Sequence, residues 1–145
     1  ISSYLSEKDH IFSIGREKGY DMARESALKL KELSYIHVEG FPGGEFKHGN
    51  LALIEEGVPV ISFLKETGYE DTVSNTLEAR SRGADIIGVG TEKVDKFRFF
   101  IEIPEDPNSE ILEITPFQMI AYMTSVKKGN DPDKPRNLAK SVTVK

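Results

Sequence analysis

The sequence predicts an α/β domain of three layers, with a parallel sheet of four or five strands between helices. Three observations predict it. Short β-branched apolar runs alternate with longer helical patterns. Gly and Pro bound those runs. The 145 residues suit one domain with one buried core. Strands separated by helices connect by right-handed crossovers, so both sheet faces are covered.

The strands are placed first. His10–Gly15 reads as a buried strand, and Val58–Leu64 follows the turn pair Glu56-Gly57 as a second. Ala84–Val89 follows Gly83 as a third. Phe97–Ile103 is the fourth, ended by Pro104. Three helices lie between and after them. Tyr20–Ile36 holds no Gly or Pro. Asp71–Arg82 is closed by Gly83. Pro116–Lys128 opens on Pro and closes at Gly129. The segment from Asn130 has two prolines and no clear period, so it reads as a frayed terminus on pattern alone.

Composition excludes several classes. Lys plus Arg total 19 against 24 Asp plus Glu, a net charge of −5, which does not suit a nucleic-acid binder. No apolar run approaches the ~18 residues that a membrane span needs. No signal peptide is visible, and a cytoplasmic address follows. Without cysteine there is no disulfide, thiolate zinc site or cysteine nucleophile. No His-x-x-x-His or carboxylate cluster has metal-ligand spacing, and no cofactor is expected. The first residue is Ile1, not Met, as expected of a piece of a longer chain.

On a helical wheel for Tyr20–Ile36, Glu25, Lys29 and Glu32 fall at i, i+4 and i+7. With Glu25 at zero, Lys29 lies near ~40° and Glu32 near ~−20°. Met22 and Leu33 border this stripe on one side, Leu28 and Tyr35 on the other. An ordinary ion-pair ladder, worth about 0.2–0.5 kcal/mol per pair, accounts for it. The apolar borders also make it a functional candidate, since partly desolvated charges in a cleft are often active groups.

Residues His37–Gly49 hold four glycines and a proline and read as a tight connection. Of three histidines, His10 opens a strand and His37 closes a helix. His48 sits in a turn, either as a surface side chain or as a group that titrates near neutral pH. The junction Ile14–Tyr20 has two glycines but no Ser or Thr, and matches neither the Walker pattern nor GxGxxG. Gly88–Thr91 is a weak phosphate-loop candidate. No GxSxG elbow occurs.

Three runs then combine. Ala27–His37 (ALKLKELSYIH), Gly44–Gly49 (GEFKHG) and Pro135–Val144 (PRNLAKSVTV) follow in that order. Together they resemble the glutamine–fructose-6-phosphate aminotransferase (glucosamine-6-phosphate synthase) family, in the second sugar isomerase (SIS) half of its isomerase region. The resemblance runs from about His10 to the end. It implies a SIS fold for residues 1–145, with 130–145 as a catalytic tail. It implies conversion of fructose-6-phosphate and glutamine-derived ammonia into glucosamine-6-phosphate: the ring opens, a lysine forms a Schiff base at C2, ammonia replaces it, and a base moves a proton between C1 and C2.

Residue by residue, the resemblance places the Schiff-base lysine on Lys140 and the enolisation base on Glu32, with Lys29 beside it. The ring-opening histidine falls on His48, which in the family reaches the neighbouring subunit's site, so a homodimer is implied. Glu25 and Ala139 fall on substrate-binding positions. A carbon-bound proton is more readily taken beside apolar groups, as around Glu32, and a nucleophilic lysine needs burial or a nearby cation. Ser26 stands where the family usually has glycine, Asn50 where proline is common, and Lys145 where Glu is frequent. The first SIS half, with its Ser/Thr-rich sugar-phosphate loop, and the glutaminase domain lie outside this chain. The alternative is a SIS module that binds a sugar phosphate or dimerises without catalysis.

Overall fold

The computed structural model describes residues 1–106 and 108–138. In chain order the elements are α1 (Ser2–Leu5), β1 (His10–Gly15), α2 (Lys18–Ser34), β2 (His37–Pro42), a short 3-10 turn (Asn50–Leu53), β3 (Pro59–Leu64), α3 (Tyr69–Arg80), β4 (Asp85–Gly90), β5 (Phe99–Glu102) and α4 (Ser109–Lys127). The five strands form one parallel sheet in the order β2-β1-β3-β4-β5. The α/β class and the parallel sheet agree with the sequence.

Successive side chains of a strand point to opposite faces, and the two cores follow that period. Ile11, Ile61, Phe63, Ile87 and Val89 join α1, α2 and α4 on one face, where Phe63 meets Phe117 with ring centroids 5.2 Å apart. Phe12, Ile14, Val60, Leu64 and Ile86 face α3 and residues 43–54 on the other. Buried hydroxyls on the strands are paired across to the helices. Ser13 Oγ lies 3.1 Å from Ser26 Oγ on α2, and Ser62 Oγ lies 2.6 Å from Thr76 Oγ1 on α3. Ser26 is fully buried, so the hydroxyl at this family-glycine position is absorbed by a partner on β1.

Three expectations are corrected. The fifth strand, β2, occupies the start of the glycine segment, and His37 opens it instead of closing a helix. Gly40 is needed there because a Cβ would sit 2.9 Å from the Cα of Arg24, where β2 and α2 press together. Helix α4 begins at Ser109, seven residues before Pro116, which lies inside it. The N–H that proline lacks frees the carbonyl of Leu112, a residue 37% exposed, where water can satisfy it. Helix α3 ends at Arg80. Gly83, at φ +104°, instead passes close to the backbone of Glu56.

One surface stands out. Helix α4 packs its buried side on α2 but leaves Ile111, Met119, Tyr122, Met123 and Val126 about half or more exposed.

Candidate functional site

Helix α2 has no Gly or Pro beyond its first turn, and it buries Ala23, Ser26, Ala27 and Leu30 against the sheet. That rotation turns the adjoining stripe partly outward. Lys29 Nζ lies 3.0 Å from a Glu32 oxygen and 3.6 Å from a Glu25 oxygen. The three side chains are 27%, 33% and 41% exposed, in the order Lys29, Glu32, Glu25. The wheel's juxtaposition therefore holds in three dimensions. The hydrogen bond from Lys29 to Glu32 holds the ammonium above its ordinary pKa, so Lys29 stays charged between two carboxylates.

His48 is elsewhere. It follows the turn after β2, where its N–H donates to the Glu45 carbonyl at 3.0 Å. Phe46, 1% exposed, pins this loop to the α3-side core, with its ring centroid 5.3 Å from that of Phe12 and 6.0 Å from that of Phe41. Lys47 and His48 are left in solvent. Glu32 rides on the helix of one face and His48 on a loop anchored to the other. The chain does not bring them together. Lys140 and Ala139 lie outside the described residues.

A parallel sheet usually binds ligands beyond the carboxyl ends of its strands, where the strand order reverses. Here that point is β1, and a cleft of ≈ 490 Å³ opens beside it, lined among others by Arg16, Lys18, Lys65, Ser109, Glu110 and Glu113. Its cations are already engaged. Lys65 Nζ bonds Glu113 at 2.9 Å and Ser109 Oγ as well. Lys18 pairs with Glu110 at 2.8 Å, and Arg16 with Asp71 at 3.5 Å. Glu113 is 3% exposed, and this burial pushes its carboxyl up against the opposing pull of Lys65. Of these pairs Lys65–Glu113 is buried, whereas Lys18 and Asp71 remain largely exposed.

Sequence reasoning missed the Lys65–Glu113 pair, whose members are 48 residues apart. It also missed two contacts that fasten the start of the tail to α2. The amide of Arg136 donates to Tyr35 Oη at 2.9 Å, and Asn130 Nδ2 donates to the Leu33 carbonyl at 3.3 Å. Nothing in local spacing signals either.

The five-stranded parallel sheet, with helices packed on both faces, defines a three-layer α/β domain. Residues 4–128 match the SIS domain family, and the chain belongs to that family. It is 45% identical over 99% of its length to a glutamine–fructose-6-phosphate aminotransferase (isomerizing) of Pyrobaculum aerophilum, and 46% identical over 99% to that of Pyrococcus horikoshii. It spans about a quarter of the length of these curated relatives, 25% in each case. Among solved structures it resembles the C-terminal domain of glucosamine-fructose-6-phosphate aminotransferase from Francisella tularensis. The TM-score is 0.82 at 33% identity, covering 90% of this chain and 39% of that one.

Proposed function

We propose that this chain is the C-terminal SIS half of the isomerase region of a glutamine–fructose-6-phosphate aminotransferase (isomerizing). The observation that carries the reading is the 45% identity over 99% of the chain to an enzyme of that name. The Lys29-centred stripe on α2 gives it chemistry.

In this reading the ring of fructose-6-phosphate opens with proton transfer by His48. The neutral amine of Lys140 adds to the C2 carbonyl, and water leaves as the C=N bond forms. Ammonia then takes the place of the lysine at C2 and frees its amine. Glu32 removes a proton from C1 and delivers one to C2, while the C1 hydroxyl proton passes to nitrogen. The product has an aldehyde at C1 and an amine at C2. Lys29 orients Glu32 through the 3.0 Å hydrogen bond, and Glu25 steadies Lys29 from its other side. Glu25 and Ala139 contact the sugar.

The rest of the catalytic region supplies the phosphate site, which accords with a cleft whose most buried cation, Lys65, is held by Glu113. The apolar side of α4 packs on that missing half, since a half-exposed stripe of this kind marks an interaction surface. The placement of His48 on the opposite face from Glu32 favours a homodimer in which it serves the partner's site. The ammonia comes from a glutaminase domain, and the enzyme works in the cytoplasm.

Schiff-base trapping tests the reading. The complete enzyme is incubated with fructose-6-phosphate and reduced with borohydride, and the adduct is located by peptide mass. An adduct on Lys140, lost in Lys140→Ala, is expected. An adduct confined to another lysine would refute the assignment.

A further inference from the structure

The C-terminal end of α2 carries an unusual residue. Tyr35 caps the helix in the left-handed conformation, at φ 59° and ψ 18°. Glycine or asparagine usually fills such a position, because a Cβ is crowded there. A large side chain kept in that backbone state points to work done by the side chain. Its work is visible. The Arg136 amide donates to Tyr35 Oη at 2.9 Å, and the Arg136 guanidinium stacks over the ring 4.1 Å from its centroid. Beside them Asn130 Nδ2 donates to the Leu33 carbonyl at 3.3 Å and to the Ser34 carbonyl at 3.5 Å. These are carbonyls that the end of a helix leaves without partners. Both contacts join residues about a hundred positions apart in the chain.

We propose that Tyr35, Arg136 and Asn130 form a clasp that positions the C-terminal tail on the end of α2, so that Lys140 works beside Glu32. The proposal rests on the function proposed above and adds residues that act through Lys140. Arg136 precedes Lys140 by four residues, a span of at most about 14 Å. Tyr35 follows Glu32 by three residues, about one helical turn or ~5 Å along the axis. The clasp therefore sets the tail's origin within reach of the carboxylate. It also shortens the tether. Without Tyr35 and Arg136 the last contact with α2 among the described residues is that of Asn130, ten residues before Lys140. Effective concentration falls roughly as the −3/2 power of tether length, so lengthening from four residues to ten lowers it about fourfold.

The test is the rate of borohydride-trapped adduct formation at Lys140 in the complete enzyme with fructose-6-phosphate. Tyr35→Leu removes the ring and the acceptor and is expected to slow trapping about fourfold, with KM for the sugar unchanged. Tyr35→Phe keeps the ring and is expected to recover much of that rate. Arg136→Pro removes both the amide donor and the guanidinium stack without touching the α2 cap, should Tyr35→Leu fail to fold. Wild-type trapping rates in Tyr35→Leu or, if that variant does not fold, in Arg136→Pro would overturn the clasp while leaving the role of Lys140 intact. A parallel loss of sugar affinity would overturn it too, because damage to the fold would then explain the rate. Absence of any Lys140 adduct in the wild-type enzyme would overturn the underlying function and the clasp with it.

Discussion

The two charged clusters of this domain are built in opposite ways. Lys65 and Glu113 lie at the carboxyl end of the sheet, where an α/β fold usually holds its ligand, and their side chains are 15% and 4% exposed. Lys29, Glu25 and Glu32 lie on the flank of α2 and are roughly a third exposed. A buried pair must stay intact, because each ion has lost its water and depends on the other. A half-exposed pair can exchange one partner for a substrate at small cost. The most buried cation at the usual position of a site is thus held by Glu113, whereas the stripe on the α2 flank stays partly open to solvent.

Removing one partner from each cluster tests that contrast. Lys65→Met strands the Glu113 carboxylate and is expected to cost about 3–5 kcal/mol at neutral pH, read by urea unfolding of the chain. A loss below about 1 kcal/mol, the scale of an exposed pair, would show that the cleft pair is as dispensable as the helix pair.

The pH dependence sharpens the same point. Burial raises the Glu113 carboxyl above its ordinary range in the folded state. A raised acid holds its proton more tightly folded than unfolded. Its contribution to stability is therefore fully present below the unfolded pKa of about 4.3 and is lost as pH rises through the folded value. The stability of wild type relative to Glu113→Gln should fall as pH is raised from 4 upward. Parallel stability curves for the two proteins would contradict the burial argument.

The smallest effect is expected at the helix. Glu25→Gln removes the longer of the two Lys29 contacts, at 3.6 Å and 41% exposure. It should change stability by less than about 0.5 kcal/mol, a value within reach of thermal unfolding. A larger loss would mean that the stripe is structural after all.

The legibility of these features follows their range along the chain. Strands β1, β3, β4 and β5 were readable because each is a short apolar run between breakers. Strand β2 was hidden by Gly40, whose presence answers the approach of Arg24 on another element, a contact no local pattern encodes. The start of α4 was hidden by Pro116, which marks a first turn far more often than an interior. The Glu25-Lys29-Glu32 stripe was readable because a single helical period creates it. The separation of His48 from Glu32 needed the sheet, whose two faces carry α2 and the Phe46-anchored loop. The Tyr35 clasp and the Lys65–Glu113 pair needed the folded chain, since each joins distant segments.

The central claim is that the half-exposed Glu32 moves the proton. Its most direct test is hydrogen exchange in D2O, with the complete enzyme and fructose-6-phosphate followed by NMR at C1 and C2. Wild type is expected to incorporate deuterium. Glu32→Gln is expected to lose that exchange by about 100-fold or more while still forming the borohydride-trapped adduct at Lys140. Exchange at the wild-type rate in Glu32→Gln would contradict the account.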